Sequence, residues 1–283
     1  MTPVIDLRYR PSTKESIESV ATNPVYAEYI KNTDFLKRKM LSLEECAEEL
    51  RSIGIVKAVV SGRDIESTYD SPNTNASTLE CVRSDPDLYI GFYGYDPRKG
   101  MNGLRAFRKA LEQDGMRGAS IDPCMNHYGV SDPFFYPLYA MCCDYAVPVV
   151  ITAGLSGHMP GVALEDMAPR EIDKVARDFP ELKIVISHGG YPWVNEAIAV
   201  CMRHNNVYMD LSSCDSKLFG EFYIKAANEY ITDKVVFASA NPFNPVAKTL
   251  KRFLELPFTE EAKRRFFYAN ACTLLDLSED VAR

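Results

Sequence analysis

Residues 183–190 read KIVISHGG, and residues 206–211, one helical segment later, read NVYMDL. Each stretch contains a short run of β-branched and apolar residues, which is typical of a buried strand. Similar runs recur along the chain, and each is followed by a longer segment with helical periodicity. Repeated strand–helix units predict a parallel sheet whose strands are connected by helices. The eight predicted strands are PVIDLRY (3–9), VKAVVSG (56–62), LYIGFYG (88–94), MRGASI (116–121), VPVVITA (147–153), KIVISH (183–188), NVYMDL (206–211) and KVVFAS (234–239).

The even spacing of these runs, with no Gly/Ser-rich linker between them, favours one domain over residues 1–283. We predict an α/β protein with a closed (β/α)8 barrel, the TIM barrel. An open doubly wound sheet is the alternative, but it would normally carry a glycine-rich phosphate loop, and neither GxGxxG nor GxxxxGK[ST] occurs. In a barrel the active site lies at the C-terminal ends of the strands. The candidates at those ends are Arg8, Arg10, Arg63, Asp64, Tyr95, Asp96, Asp122, Thr152, His188, Ser212, Ser213, Asp215, Ser239 and Asn241.

The composition is that of a globular protein able to bury a core, with 46% hydrophobic and 25% charged residues. A formal net charge of −7 and a pI near 5.3 argue against nucleic acid as a partner, because binding to phosphates needs a basic face. No apolar run approaches the roughly 20 residues of a membrane span, and the N-terminus does not resemble a signal peptide. The eight cysteines include no CxxC pair and indicate buried thiols in a reducing compartment. We therefore expect a cytoplasmic protein that binds neither nucleic acid nor membrane.

His188 is the strongest single candidate for catalysis. It ends a predicted strand, and the two glycines after it would let a ligand or a loop approach closely. The structural alternative is a histidine satisfied by hydrogen bonds in a crowded barrel mouth. His127 and His158 fall in the loops after strands four and five, from which either could reach the site, although solvated loop histidines are more common. His204 precedes a strand, and we expect a structural role for it.

The first strand carries three charges in VIDLRYRP (4–11). Because side chains alternate along a strand, Asp6, Arg8 and Arg10 are expected on the same face. Guanidinium groups cannot bind metals, but two of them could hold a carboxylate or a phosphate through paired hydrogen bonds. The alternative is a structural network in which neighbouring carboxylates neutralise both arginines. Two buried cations without a partner would be costly, so a protein or ligand anion is expected beside them.

Other strand ends supply polar groups with weaker assignments. Asp122 lies in IDPCMNHYG, where Asp-Pro is most often a turn and less often a catalytic carboxylate. Asn241 can only donate and accept hydrogen bonds, and Thr152 could likewise orient a ligand. We predict His188, Arg8 and Arg10 as catalytic residues. We predict a second group as substrate-binding residues, comprising Asp6, Thr152, Asn241, Asp122, His127 and His158.

Several stretches together resemble the amidohydrolase-related family of (β/α)8 barrels. The resembling branch contains aminocarboxymuconate semialdehyde decarboxylase, resorcylate decarboxylases and pyrone dicarboxylate lactonase. The most specific feature is FPELKIVISHGG followed by NVYMDLSS, and VIDLRYRP, DPFFYPLYAMCCDYAVPVVITAG, FASANPF and FFYANACTLLDL add to it. The resemblance extends over nearly the whole chain.

The resemblance implies a divalent metal, often zinc, held by His-x-His at strand one, by histidines at strands five and six and by an aspartate at strand eight. The matching positions in this chain are Arg8, Arg10, Thr152, His188 and Ala240, so four of the five ligands are replaced. Zinc needs three or four N, O or S ligands at once. We therefore expect no metal and no other cofactor, although zinc is the one that family analogy suggests.

We hypothesise that Arg8 and Arg10 hold a carboxylate that in relatives would meet the metal, while His188 acts as acid or base. The expected reaction is hydrolysis of a lactone or amide, or decarboxylation, of a small carboxylate-bearing substrate. The alternative is a catalytically inactive subunit that binds a metabolite or contributes to an assembly. Because relatives of this fold are often dimers, a homodimer is also expected.

Overall fold

Eight parallel strands form the centre of the computed structural model, which describes residues 3–154, 158–214 and 217–279. The strands pair in sequence order from β1 to β8, so the predicted (β/α)8 barrel is confirmed. Each observed strand overlaps one of the predicted runs. The strands are β1 (Val4–Tyr9), β2 (Ile55–Ser61), β3 (Tyr89–Gly94), β4 (Ala119–Ile121), β5 (Val149–Thr152), β6 (Ile184–Ser187), β7 (Val207–Asp210) and β8 (Val235–Val236).

The barrel is closed by the segment that follows β8. The N–H of Leu7 in β1 donates to the carbonyl oxygen of Phe237 at 2.9 Å, and the N–H of Ala240 donates to the carbonyl oxygen of Arg8 at 3.0 Å. These bonds bring the chain after β8 beside the end of β1. As a result, the residues after these two strands contribute to the same end of the barrel.

Helices surround the barrel, and local sequence explains where they begin. The helix after residue 42 has a capping box, because the Ser42 side chain accepts the N–H of Glu45 and the Glu45 side chain accepts the N–H of Ser42. The helices are α1 (Lys14–Ala21), α2 (Ala27–Asn32), α3 (Leu43–Ser52), α4 (Glu66–Tyr69), α5 (Asn75–Ser84), α6 (Gly100–Glu112), α7 (Tyr136–Asp144), α8 (Pro169–Asp178), α9 (Val194–Arg203), α10 (Gly220–Glu229), α11 (Val246–Leu254), α12 (Glu260–Arg264) and α13 (Asn270–Leu275).

Two apolar clusters follow from the alternation of side chains along the strands. One includes Leu7, Val150 and Val185, and the C-terminal helix α13 packs against it. A larger cluster packs the opposite faces of the strands against the surrounding helices. No helix in the described part of the chain is long and apolar enough to cross a membrane.

The segment between β1 and α3 adds a third cluster that the sequence analysis did not predict. It carries the short helices α1 and α2, and its aromatic residues Tyr26, Tyr29 and Phe35 pack against Phe243, which follows β8. Ring centroids in this cluster lie 5.4–5.5 Å from the Phe243 centroid. The cluster therefore forms an aromatic wall over the ends of β1 and β8.

Candidate functional site

A cavity of about 80 Å³ lies at the C-terminal end of the barrel, where the fold predicts an active site. This volume is several times what one water molecule needs. The lining combines cations, one imidazole and an apolar wall. The lining residues are Arg8, Arg10, Tyr26, Tyr29, Arg63, Met125, Met159, His188, Ser213, Lys217, Ala240, Phe243 and Asn244.

Arg8 is buried at the floor of the cavity and only partly neutralised. Its Nη2 donates to the Thr152 hydroxyl at 2.7 Å and lies 3.7 Å from Oδ1 of Asp122. Its Nη1 is buried and has no hydrogen-bond partner among the described residues. Burial lowers the pKa of Arg8, although the charge of Asp122 opposes this effect. Arg8 therefore retains donor capacity for a ligand.

Arg10 is 7% exposed and has no ion pair with a described residue. Its Nε and Nη2 are both buried without a hydrogen-bond partner in the described part of the chain. Burial lowers its pKa well below the usual value, and the charges of Arg63 and Arg8 lower it further. An unpaired buried guanidinium is unfavourable, so an anion in the cavity would stabilise it.

Asp122 is the carboxylate that balances part of this charge. Its Oδ2 accepts from Nε of Arg63 at 3.1 Å, and its Oδ1 accepts from the Thr152 hydroxyl at 2.6 Å. Burial alone would raise the pKa of Asp122, but Arg63, Arg8 and Arg10 outweigh burial and hold it well below its usual range. Asp122 is therefore ionised and joins the guanidiniums into one network.

His188 immediately follows β6 and lines the cavity beside Arg8. Its backbone has a φ of 59°, which belongs to the left-handed region that non-glycine residues seldom adopt. Its backbone N–H donates to Oδ1 of Asp210 at 3.1 Å, and this contact helps to hold the turn. Strain at a residue held by such contacts is common at functional sites.

The ring of His188 is oriented through its Nδ1 atom. Nδ1 lies 2.8 Å from the Ser212 hydroxyl and 3.3 Å from the Ser212 carbonyl oxygen, which can only accept. The hydroxyl in turn donates to Oδ1 of Asp210. Burial, followed by the charge of Arg8, lowers the pKa of His188 from 6.5 to about 4. We therefore assign a neutral ring with hydrogen on Nδ1, which leaves the lone pair on Nε2 for a ligand.

Asp6 was expected on the same face of β1 as Arg8 and Arg10, but it does not line the cavity with them. A register shift between Asp6 and Tyr9 interrupts the regular pairing of β1 with β2. The Oδ1 of Asp6 accepts the N–H groups of Arg8 and Ser239 at 3.1 and 2.9 Å, and Asp6 does not line the cavity. Burial raises its pKa from 3.8 to about 7. Its contacts stabilise the junction of β1 with the segment after β8.

Several predicted binding residues lie at or beyond the edge of the cavity. Asn241 is buried, and its amide nitrogen donates to the Arg10 carbonyl oxygen at 2.7 Å, so it supports the strand end. His127 and His158 are exposed and do not line the cavity, and both have a positive φ. The strand-end candidate Asp215 lies outside the described residues.

Some cavity residues escaped the sequence analysis. Lys217 lies in the segment after β7, and its ammonium is 4.5 Å from the centroid of the Tyr191 ring. Tyr26 and Tyr29 come from the segment before α3, far from any predicted strand end. Asp210 accepts the backbone N–H of His188 and the Ser212 hydroxyl. The sequence analysis did not single it out because it lies inside a predicted strand. A search for carboxylates near the ends of strands, as well as beyond them, could have found it.

The positions that the resemblance assigns to metal ligands do not fit a metal in this chain. Arg8 and Arg10 offer no lone pair, and Ala240 has no donor atom. The hydroxyl of Thr152 is already hydrogen-bonded to a guanidinium and a carboxylate. Only His188 could coordinate, and no group of three or more His, Cys, Asp or Glu side chains comes together in the described part of the chain.

Comparison with known proteins identifies the family. A family model described as amidohydrolase (Amidohydro_2) matches residues 33–277, which is most of the chain. The protein therefore belongs to the amidohydrolase family. The match begins after β1, the strand that carries the two arginines. A comparison with curated proteins finds no match.

Solved structures share the fold over almost the full length. An uncharacterised TIM-barrel protein from Bordetella bronchiseptica is 28% identical, with a TM-score of 0.78 and coverage of 99% of this chain and 100% of the other. The 5-carboxyvanillate decarboxylase of Novosphingobium aromaticivorans, solved with manganese and 4-hydroxy-3-methoxy-5-nitrobenzoic acid, is 16% identical, with a TM-score of 0.71 and coverage of 97% and 96%. The 2,6-dihydroxybenzoate decarboxylase from Rhizobium is 15% identical, with a TM-score of 0.72 and coverage of 98% and 99%.

Proposed function

We propose that this protein is an enzyme that hydrolyses a lactone or amide bond in a small carboxylate-bearing substrate without a divalent metal. The observation that carries the proposal is the set of N–H groups on Arg8 and Arg10 that have no partner among the described residues, in the same cavity as the neutral imidazole of His188. The arginines provide an anion site, and His188 provides a base. Together these are the parts that such a hydrolysis needs.

In this mechanism Arg8 and Arg10 bind the substrate carboxylate and fix its orientation. Nε2 of His188 accepts a proton from a water molecule as the water oxygen attacks the carbonyl carbon. The Ser212 hydroxyl and Asp210 hold the ring during the transfer and stabilise the imidazolium that forms. The cations of the cavity stabilise the developing oxyanion. The imidazolium then returns its proton to the leaving oxygen or nitrogen as the C–O or C–N bond breaks.

Decarboxylation is the second candidate reaction. The 5-carboxyvanillate and 2,6-dihydroxybenzoate decarboxylases that share this fold support it by analogy. Here the arginines would hold the departing carboxylate, and protonated His188 would deliver a proton to the carbon. The low pKa of His188 favours hydrolysis over this reaction, because the neutral ring is a base and lacks the proton to donate.

The remaining expectations belong to the same proposal. We propose that the altered ligand positions make this a degenerate metal site that functions through cations. We also propose a cytoplasmic location and a homodimer, the latter to be tested by light scattering coupled to size-exclusion chromatography. A catalytically inactive metabolite-binding or assembly subunit is the alternative to the enzyme.

The test is turnover of carboxylate-bearing lactones, amides and hydroxybenzoates by protein treated with a chelator. We expect hydrolysis by the wild type and a loss of about 10²-fold or more in His188→Gln, the scale on which a general base contributes. Carboxylate binding without any turnover would support the inactive alternative. Carbon dioxide release without hydrolysis would assign the second reaction.

A further inference from the structure

A second cavity lies beside the barrel mouth, among helices that follow β1 and β2. Its volume is about 280 Å³, and its lining combines residues at the starts of α1, α3 and α5 with Arg10. Arg10 also lines the cavity at the end of the barrel. This arginine is therefore shared by two cavities, and the proposed function uses only one of them.

Three helix N-termini meet at the second cavity. The N-cap residues of α1, α3 and α5 are Thr13, Ser42 and Thr74, and all three line it. The first N–H groups of a helix have no acceptor within the helix, and the positive end of the helix dipole lies beside them. Helix N-termini that share one cavity therefore offer both donors and a positive field to an anion.

Two of these three N-termini keep backbone donors available, whereas α3 is closed by its capping box. In α1 the Thr13 hydroxyl accepts the N–H of Ser16 at 3.3 Å, which leaves the two preceding N–H groups for another acceptor. In α5 the Thr74 hydroxyl accepts the N–H of Arg63 at 2.8 Å and makes no capping bond to the helix. Both helices can therefore donate to a ligand in the cavity.

Arg10 adds an observation that is independent of the helices. It is 7% exposed, and its Nε and Nη2 are buried without a hydrogen-bond partner among the described residues. Two carboxylates line the second cavity, those of Glu15 and Glu80, and both residues are exposed. The buried part of the described lining therefore carries positive charge without negative charge, which favours an anionic ligand.

We propose that the second cavity is a regulatory site for a phosphate-type oxyanion, held by the first N–H groups of α1 and α5 and by the guanidinium of Arg10. The cavity is larger than the 80 Å³ barrel cavity, so it has room for a phosphate ester of a small metabolite as well as for the free ion.

The shared arginine couples the two cavities. An oxyanion that engages Arg10 from the second cavity competes for its N–H groups with a carboxylate in the barrel cavity. Each ligand should therefore weaken the binding of the other by the same factor. This coupling rests on the proposed function, whereas the oxyanion site itself does not.

The test places a negative charge at the start of α1 without removing its cap. Aspartate is as good an N-cap as threonine, so Thr13→Asp should keep α1 folded while its carboxylate repels an oxyanion. Calorimetry would measure the binding of inorganic phosphate and of glycerol phosphate. We expect the wild type to bind one or both, and Thr13→Asp to bind about tenfold more weakly, the scale of a hydrogen bond to a charged group.

The two probes distinguish the sources of the ligand. Tighter binding of glycerol phosphate would support the site and assign it to a phosphorylated metabolite. Equal or tighter binding of inorganic phosphate would support the site and assign it to the free ion. A wild type that binds neither probe would overturn the inference.

Thr259→Asp is the matched control. Thr259 caps α12 through the N–H of Ala262 at 3.2 Å, and it lies outside the lining of the second cavity. This variant changes the net charge by the same amount and should bind phosphate as the wild type does. Equal losses in Thr13→Asp and Thr259→Asp would overturn the site, because general charge repulsion would explain both.

A further variant separates the two cavities. If Arg8→Met abolished phosphate binding while Thr13→Asp left it intact, phosphate would bind in the barrel cavity and the inference would fail. The coupling is measured by titrating benzoate with and without saturating phosphate. The affinity for benzoate should fall by about fivefold or more in the wild type and stay unchanged in Thr13→Asp.

Benzoate binding also keeps the two proposals distinct. Equal benzoate affinities of the wild type with and without bound phosphate would overturn the shared role of Arg10. Failure of benzoate to bind at all would refute the carboxylate site of the proposed function, whereas phosphate binding that depends on Thr13 would still establish the second site.

Discussion

The His188 ring is held through its Nδ1 side, so its chemistry at the cavity is that of Nε2. Because its pKa is lowered to about 4, the ring of the free enzyme stays neutral and basic down to acidic pH. We predict that kcat/KM for hydrolysis is flat from about pH 8 to pH 5 and falls as pH drops through about 4. Steady-state rates across this range would measure it, and an inflection near the ordinary histidine value of 6.5 would contradict the assignment.

Substrate binding should shift this inflection. The charge of Arg8 is one cause of the low pKa of His188, and a bound carboxylate would offset that charge. We therefore predict that the inflection in kcat, which reports the enzyme–substrate complex, lies at higher pH than the inflection in kcat/KM. Coincident inflections in the two profiles would argue against an anion bound beside Arg8.

Asp6 should make stability depend on pH. Its pKa is raised from 3.8 to about 7 in the folded protein, so between these values the folded state binds more protons than the unfolded state. Stability is therefore lost as pH rises from about 4 to 7. We predict that Asp6→Asn, which keeps an oxygen acceptor but cannot ionise, shows a smaller decrease in melting temperature than the wild type between pH 5 and 8. An equal decrease in melting temperature between pH 5 and 8 for both proteins would refute this role.

Sequence reasoning selected three of the cavity-lining residues by their position at or near the ends of strands. Arg8, Arg10 and His188 line one cavity because parallel strands end at the same edge of the barrel. The side chain of Asp6 does not follow the expected alternation of faces along the strand, because the register of β1 shifts beside it. Lys217 could not be found in this way, since the conformation of a loop depends on tertiary contacts that strand patterns do not encode.

At the scale of elements, the turn after β6 depends on glycine. Gly189 has a φ of 64°, and an added Cβ would lie 2.7 Å from Sγ of Cys214 and 2.8 Å from Cζ of Tyr223. We predict that Gly189→Ala lowers the free energy of unfolding by roughly 2–4 kcal/mol, combining left-handed strain with overpacking. Denaturant unfolding would measure the change.

Gly115 offers a matched control for this substitution. It has a φ of 74° but nothing within 4 Å of an added Cβ. Gly115→Ala should therefore cost only the backbone strain, roughly 1–2 kcal/mol. Equal losses in the two variants would show that the contacts around Gly189 contribute nothing to its requirement for glycine.

The sequence predicts the existence of the strands more accurately than the residues at which they end. β-Branched runs mark the buried strands, because such residues pack well on a pleated surface. The last run was predicted over residues 234–239, yet β8 spans only Val235–Val236. Beyond β8, the carbonyl oxygen of Phe237 accepts the N–H of Leu7, and the N–H of Phe237 donates to the carbonyl oxygen of Phe266. These tertiary hydrogen bonds replace the ladder with β7. The short helices α1 and α2 were missed, since one or two turns are too few to show a clear period.

At the scale of the whole molecule, charge is distributed unevenly. The chain carries a net charge of −7, yet four cations line its barrel mouth. The overall charge argued against nucleic acid as a partner, but it could not reveal a buried site of the opposite sign. Folding creates that site by bringing β1, the end of β2 and the segment after β7 to one cavity.

This arrangement leads to a prediction about metals. A dication in the cavity would meet the charges of Arg8, Arg10 and Arg63, and His188 is the only histidine retained at the five ligand positions, so binding should be weak. A ligand that binds only the folded state raises its stability in proportion to the logarithm of ligand concentration over Kd. We predict that zinc or manganese leaves the melting temperature of chelator-treated protein unchanged, whereas an aromatic carboxylate raises it. If a metal raised the melting temperature of the wild type but not of His188→Gln, it would bind at this site and the cation-based mechanism would fail.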